Sequence, residues 1–580
     1  METLRSVAVF RRSMRDRRAR YMVWFDQQAL SPEQLTVQAA FADALTARPL
    51  LSVLIPTYNT QPQHLRECLD SVVNQTYTNW EICIADDAST DQLTKDVISE
   101  YADRYENIRA IFSETNNHIA ISSNNALAMA RGEFISLLDH DDLLQPNALY
   151  ETVSIINSYP AADLIYSDED KLESDEFHVE PFFKPDWSPD LLYSCNYITH
   201  FATLSRRIMN QVGGFREGTE GAQDWDLFLR VTALTSEIHH ISKILYTWRK
   251  SATSTAQSAA SKPYAYINQG KVLRHVVGAR HENAYVDAAP DRGFWRVRRV
   301  IKGTPSVTVV IPTKDNLKFI SQCLDSILDR SSYPYFEVVV VDTGSTDPRV
   351  EAYYAKALAA NPELKIVRWE GPFNFSGACN LGVEKSTGDY VLFLNDDTEL
   401  ISNDWIQGLL EHAQRPEVGM VGAQLLFAGG EIQHAGVVLS ERDVAFHPFY
   451  GRKPHFDMST YIFASNVRNT AAVTAACSMV SRKKFDEVGG FDEALRVTYN
   501  DVDLCLRLLS AGYVNVYNPF VHLYHYESVS VGKITGPDRD QSEFEEAKLL
   551  MKKRWGHFLR NDPYYNSSFE QHGPGYILPV

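Results

Sequence analysis

The chain has 580 residues, enough for about four average domains or for fewer large ones. With 44% apolar residues it can bury sizeable cores, and at 22% charged it is neither a disordered chain nor a coiled coil. A net charge of −18 argues against binding along a nucleic-acid backbone. Seven scattered cysteines without a CxxC pair suit a reducing compartment and argue against a disulfide framework or a zinc site. No apolar run approaches the ~18–20 residues of a membrane span, and the first residues lack an apolar signal core. A soluble, cytosol-facing protein is expected.

Residues 1–49 read as a basic helical arm. Arg5, Arg11, Arg12, Arg15, Arg17, Arg18 and Arg20 are interleaved with aromatics that include Tyr21, Trp24 and Phe25. Such a helix suits either peripheral contact of residues 1–25 with the anionic inner-membrane surface or docking on its own protein. From 50 to 257 apolar strands alternate with helical stretches. A strand at 51–55 ends in Pro56-Thr57, one at 80–85 ends at Asp86-Asp87, and one at 134–138 ends at Asp139-His140-Asp141. Residues 258–304 form a linker with a helix (264–277) and a strand (294–301). From 305 to 535 the pattern returns, with strand ends at Thr313, Asp342-Thr343 and Asn395-Asp396-Asp397. Residues 536–580 hold a helix near 541–560 and the tail Asp562-Pro563-Tyr564-Tyr565-Asn566.

The two long stretches are copies of one unit. Ser52–Thr57 matches Thr308–Thr313, Asp86–Asp91 matches Asp342–Asp347, and Leu138–Asp141 matches Leu394–Asp397, all at an offset of 256. Later, Asp224-Trp225-Asp226 matches Asp501-Val502-Asp503 at an offset of 277. About twenty extra residues therefore enter the second copy, and the stretch around 428–468 is where they are expected. Near-continuous apolar strands separated by helices predict an α/β fold, two tandem domains each with a mostly parallel sheet flanked by helices. Such sheets bind ligands beyond their strands' carboxyl ends, where the polar residues converge.

Carboxylates two residues apart after a strand suit a hard cation, Mn²⁺ or Mg²⁺, that keeps a substrate diphosphate in its shell. The bland reading of the same loop is turn and cap chemistry. Asp86 and Asp87 suit hydrogen bonds from a ribose or base, or an Asx-turn with Ser89-Thr90-Asp91. Asp224 and Asp501 open amphipathic helices, either as caps or as general bases for an attacking hydroxyl. His522 and His525 suit a metal shell or a satisfied core. No Walker loop or GxGxxG follows the first strands.

Taken in order, SVLIPTYN and VTVVIPTKDN, IADDASTD and VVDTGSTD, ARGEFISLLDHDDLL and STGDYVLFLNDDTEL, the paired GGF and DxD blocks and HLYHYESVSVG resemble the family-2 glycosyltransferases. That resemblance implies two GT-A domains and inverting transfer from a nucleotide-diphosphate sugar to a hydroxyl. Linker and tail are similar to those of bacterial tandem enzymes that build O-antigens and other surface polysaccharides, rhamnosyltransferases among them. By carry-over, Asp86, Asp87 and Asp342 meet the nucleoside, and Asp139 and Asn395 lie beside ribose and diphosphate. Thr57, Thr313 and Asp396 complete the nucleotide-sugar set. Asp141 and Asp397 bind the metal, with His525 as an added ligand, and Asp224 and Asp501 are the bases. The acceptor implied is lipid-linked or polysaccharide. The second copy departs at Thr343 and Asn395, and the first carries Thr247 where the second has His525. Both domains are expected to be active. The alternatives are one catalytic and one acceptor-holding domain, a non-catalytic carbohydrate binder, and a nucleotidyltransferase.

Overall fold

The computed structural model describes residues 18–174, 176–250, 263–280, 283–290, 293–454, 460–526 and 541–578. The arginines up to Arg17 lie outside the described residues. From residue 18 a helix, α1 (18–28), packs on the first domain. The Tyr21 hydroxyl donates to Asp170 at 2.6 Å, Trp24 meets Phe183 edge-on at 5.1 Å, and Phe25 stacks on His178 at 3.9 Å. Of the two roles open to this segment, its described part adopts the docked one.

The first domain contains β1 (Leu51–Thr57), β2 (Trp80–Asp86), β3 (Ile108–Phe112), β4 (Phe134–Leu137), β5 (Leu143–Leu144), β6 (Leu164–Glu173), β7 (Phe177–Phe182), β8 (Ala202–Ser205) and β9 (Ile238–Arg249). They form one sheet in the order β3-β2-β1-β4-β8-β6-β9-β5, with β7 beside β6. The half around β1 is parallel, and β8 enters antiparallel to β4 and β6. Side chains alternate along β1. Val53 and Ile55 join Leu65 and Leu69 in one layer, whereas Leu54 joins Ala120 and Ala126 in the other. A strand covered on both faces has no solvent side, which is why its sequence is an unbroken apolar run. The chain runs from β1 outward to β3 and then crosses to β4 on the other side of β1. The carboxyl ends of β1, β2 and β4 therefore flank a topological switch point. The domain closes with helix α2 (Gln223–Val231) before β9.

The linker is helix α3 (Pro263–Ala279) followed by an antiparallel hairpin, β10 (Ala284–Ala288) and β11 (Trp295–Arg299). The second domain repeats the first with β12 (Val307–Thr313), β13 (Phe336–Asp342), β14 (Leu364–Arg368), β15 (Tyr390–Leu394), β16 (Thr398–Leu400) and β17 (Val418–Leu426). The extra residues follow, carrying short strands β18 (Ile432–His434), β19 (Val438–Ser440), β20 (Val444–Phe446) and β21 (Arg468–Asn469). Then come β22 (Cys477–Ser481), helix α4 (Asn500–Ser510), β23 (Val514–His525) and helix α5 (Gln541–Arg560). The sheet order β14-β13-β12-β15-β22-β17-β23-β16 retraces that of the first domain position by position.

The domains are not separate beads. One apolar core runs from Leu54 through Trp225 and the linker's Val272 to Val310 and Phe393, and on to Tyr565 and Phe569 of the tail. Each domain keeps a second core of its own on the outer face of its sheet. Polar ties reinforce the junction. Asp190 of the first domain is ion-paired with Arg415 of the second at 2.5 Å and accepts from Asn469 Nδ2 at 2.9 Å. In the tail, Asp562 accepts from the Leu439 amide, while Asn566 Nδ2 donates to Asp168, both at 2.8 Å. All seven cysteines are buried and free. Among the described residues no helix is long and apolar enough to cross a membrane.

Candidate active site

Thr57 and Asp86 are paired at the ends of β1 and β2, as Thr313 and Asp342 are at the ends of β12 and β13. In the first domain the Asp86 carboxylate is split between two roles. Its Oδ2 accepts from the Ser89 amide at 3.0 Å, the expected Asx-turn, while Oδ1 is buried without a hydrogen-bond partner. Asp87 Oδ1 accepts from the Asn117 amide at 2.8 Å. The second domain differs. Asp342 Oδ1 accepts from the Gly344 and Ser345 amides and pairs with Arg368 Nη1 at 2.9 Å, and Oδ2 accepts from the Tyr354 hydroxyl at 2.9 Å. At the offset of 256, Tyr354 and Arg368 replace Ile98 and Phe112, side chains that cannot donate.

The acidic loop after β4 divides its labour. Asp142 is buried, accepting from the Tyr246 hydroxyl at 2.5 Å and the Arg249 amide at 2.8 Å, and so anchors the loop. Asp139 and Asp141 keep partly exposed carboxylates. His200 lies 3.5 Å from Glu169 and 3.9 Å from Asp139. Burial opposes its charge, but Glu169 and Asp139 overrule it and push the imidazole up to about 9. In the second domain Asp396 accepts from Thr313 Oγ1 at 2.6 Å and from Asn316 at 3.2 Å, and burial pushes it up to about 6. Asp397 Oδ1 is 3.1 Å from His525 Nε2, and Asn395 Nδ2 is 3.4 Å from the same nitrogen.

The ladders correct one alignment. β5 pairs Leu143 with Thr247, and β16 pairs Thr398 with His525. Since Asp142 corresponds to Thr398, the counterpart of His525 is Trp248, not Thr247. The first domain still lacks that histidine, and His200 supplies the imidazole beside its acidic loop from the segment before β8 instead.

In each Asp-x-Asp the second carboxylate is structural. Asp226 is held by Arg216 at 3.0 Å and Arg230 at 2.8 Å; Asp503 is held by Arg507, Arg554 and the Trp555 indole at 2.7–2.9 Å. The first carboxylate is left for other work. Asp224 accepts from Asn196 Nδ2 and the Trp225 amide, each at 2.8 Å, and burial raises its pKa although the nearby His200 opposes the shift. Asp501 Oδ2 accepts from the Ala475 amide at 3.1 Å. Neither helix uses its Asp as the N-cap; those positions are Ala222 and Tyr499.

A cavity of about 1050 Å³ unites the first set: Thr57, Asp87, Asp139, His200 and Asp224 line it together with Trp248. Asp86 and Asp141 are not among its lining residues. Among the described residues no group of three or more His, Cys, Asp or Glu is arranged around one metal position. Mg²⁺ and Mn²⁺ need less than that, one or two protein oxygens with substrate phosphates completing the shell. The donors present fit such an ion, because Asp397 Oδ1 is buried and lacks a hydrogen-bond partner while the His525 ring sits beside it.

Residues 52–213 and 308–489 each match the model of glycosyl transferase family 2. The chain belongs to that family. Among its relatives, an uncharacterized protein y4gI of Sinorhizobium fredii is 40% identical over 91% of this chain and 58% of its own length. The O-antigen biosynthesis protein RfbC of Myxococcus xanthus is 37% identical over 94% of this chain and 42% of its own. This chain thus spans about half the length of the two relatives. The solved structure of S. aureus TarS residues 1–349 with UDP-GlcNAc is similar over 39% of this chain and 71% of that one, at 19% identity and a TM-score of 0.32. As a tandem family-2 chain, the molecule carries two GT-A domains of one topology with differently furnished sites.

Proposed function

We propose that this chain transfers sugars from nucleotide-diphosphate sugars to hydroxyls of a growing, lipid-linked bacterial surface polysaccharide, with inversion and one site per domain. The observation that carries the reading is a cavity at the first domain that gathers the strand-end groups Thr57 and Asp87, Asp139 of the acidic loop and Asp224 from separate elements. The near relative named for O-antigen biosynthesis supports the product class, and seven free cysteines suit work on the cytoplasmic side.

In this reading Asp224 takes the proton of the acceptor hydroxyl as that oxygen attacks the anomeric carbon. The bond from that carbon to the diphosphate oxygen breaks on the opposite face, which inverts the centre. Asp501 does the same in the second domain. Thr57, Asp86, Asp87 and Asp139 hold the donor in the first domain, and Thr313, Asp342, Asn395 and Asp396 do so in the second. Asp141, and Asp397 with His525, would hold Mn²⁺ or Mg²⁺, which when bound offsets charge on the leaving diphosphate. The test is nucleotide release from UDP-, GDP- and dTDP-sugars with Mn²⁺ and a lipid acceptor fraction. Release with one or two donors is expected, lost on chelation with EDTA and restored by added Mn²⁺. Absence of release from folded protein with every donor contradicts the reading.

The engagement of Asp342 favours a second reading, in which the second domain holds acceptor rather than donor. Asp86→Asn is expected to weaken nucleotide binding about tenfold, since it alters a carboxylate with an uncommitted buried oxygen. If Asp342 is committed internally, Asp342→Asn changes nucleotide affinity by less than about threefold. Calorimetric titration with UDP, GDP and dTDP measures both, and a tenfold loss in both variants restores two equivalent donor sites.

A further inference from the structure

The linker joins the domains, but its position says more. Helix α3 lies directly on the segment that leads into Asp224. Gly221 has φ +76°, and a Cβ there would come within 2.7 Å of Ala265 Cβ, so only glycine admits the helix this close. Asn268 Nδ2 fastens the contact, donating to the Glu220 carbonyl at 2.9 Å. The hairpin braces the helix from behind. Tyr266 stacks on Trp295 with centroids 4.8 Å apart, and Trp295 approaches so closely that a Cβ on Gly270 would fall 2.6 Å from its ring.

This braced unit lines the cavity that holds the first domain's catalytic candidates. Tyr264, Tyr266, Gln269 and Phe294 join its wall beside Gln223 and Asp224. At about 1050 Å³ the cavity is slightly larger than the ~300–1,000 Å³ usual for one small ligand. The strand ends supply groups for a nucleotide and its diphosphate; the linker supplies none. It offers aromatic faces and the side-chain amides of Asn268 and Gln269. These are the groups that recognise a pyranose, whose C–H face packs on an aromatic ring while its hydroxyls meet amide and phenol groups.

We propose that the linker is the acceptor subsite of the first domain, holding a saccharide unit against Tyr264, Tyr266 and Phe294 so that its hydroxyl reaches Asp224. The assignment rests on the transferase reading above. It gives the linker a role in substrate choice, and only for the first domain's reaction.

The test uses the full chain and saturation-transfer NMR with two kinds of probe, the nucleotides UDP, GDP and dTDP and oligosaccharides released by mild acid from the source cell's surface polysaccharide. Tyr264 is 49% exposed, so Tyr264→Ala should fold normally; Phe294→Ala is the second variant. Wild type is expected to saturate the saccharide and at least one nucleotide, and each variant to lose saccharide signal about fivefold while keeping the nucleotide signal. Unchanged saccharide signal in both variants, or nucleotide binding without saccharide binding in wild type, overturns the subsite and leaves the transferase reading standing. Failure of wild type to bind the saccharide and every one of UDP, GDP and dTDP overturns both.

Discussion

Asp224→Asn is expected to lower transfer by the first domain about 10²–10⁴-fold, the usual contribution of a general base, with donor affinity unchanged. Asparagine keeps the size of the side chain and can still meet Asn196 after an amide flip, so the site should stay assembled. What it removes is the proton acceptor. Burial raises the Asp224 pKa, which fixes the sign of a pH effect. The base works only when ionised, so activity is present above its folded pKa and falls as pH drops through it. The acid limb of kcat/KM should therefore lie above the ordinary aspartate range near ~3.9. Single-turnover transfer with each donor that supports release measures both features. Loss of one donor's transfer in Asp224→Asn and of another's in Asp501→Asn would establish two working sites. More than a tenth of wild-type rate remaining in Asp224→Asn would remove this residue from the role of base.

The second large effect is expected at the domain junction. Asp190 is 2% exposed and its carboxylate faces Arg415 across the boundary. Burial disfavours the charge, yet Arg415 holds Asp190 well below the ordinary carboxylate range and is itself raised in return. Arg415→Met leaves that buried carboxylate without its cation, a change that costs about 3–5 kcal/mol. The denaturation midpoint in urea should fall accordingly. The double variant with Asp190→Asn should recover part of the loss, because it removes the stranded charge. The depressed pKa also sets the pH window. The pair's contribution is complete above the unfolded aspartate pKa and is lost as pH falls through the folded one. Arg415→Met should lose this acid sensitivity. A midpoint unchanged in Arg415→Met would show that the apolar core alone fixes the junction.

The repeat and the parallel half of each sheet were legible because a strand covered on both faces must be apolar throughout, and Val53 and Val309 return at one offset. The same offset brought out the strand-end carboxylates. What each carboxylate does was hidden, because its partners come from afar. Asp226 and Asp503 look as free as Asp224 and Asp501 until arginines are set against them, and Arg554 arrives 51 residues after Asp503. Asp342 and Asp86 occupy matching positions, and only contact with Arg368 and Tyr354 separates them. His200 carries no local signal at all, since its place beside Asp139 follows from the pairing of β8 with β4. The linker's Tyr264 and Tyr266 fit any helix, and nothing in their spacing marks a cavity wall.

The core that runs unbroken from Leu54 to Phe393 and the tail sets the smallest piece of this molecule that can exist alone. A fragment ending at the linker would present to water the Phe183 ring that Phe569 of the tail now covers. Its sister would strand the tail's aromatic rings in the same way, and each would gather into aggregates by the faces they share. Gene halves expressed apart should therefore yield soluble material only when made together, reassembling as a two-chain complex. In the proposed reading with one site per domain, this shared core would hold the two mouths at one separation, and a product of one that feeds the other would have to travel between them.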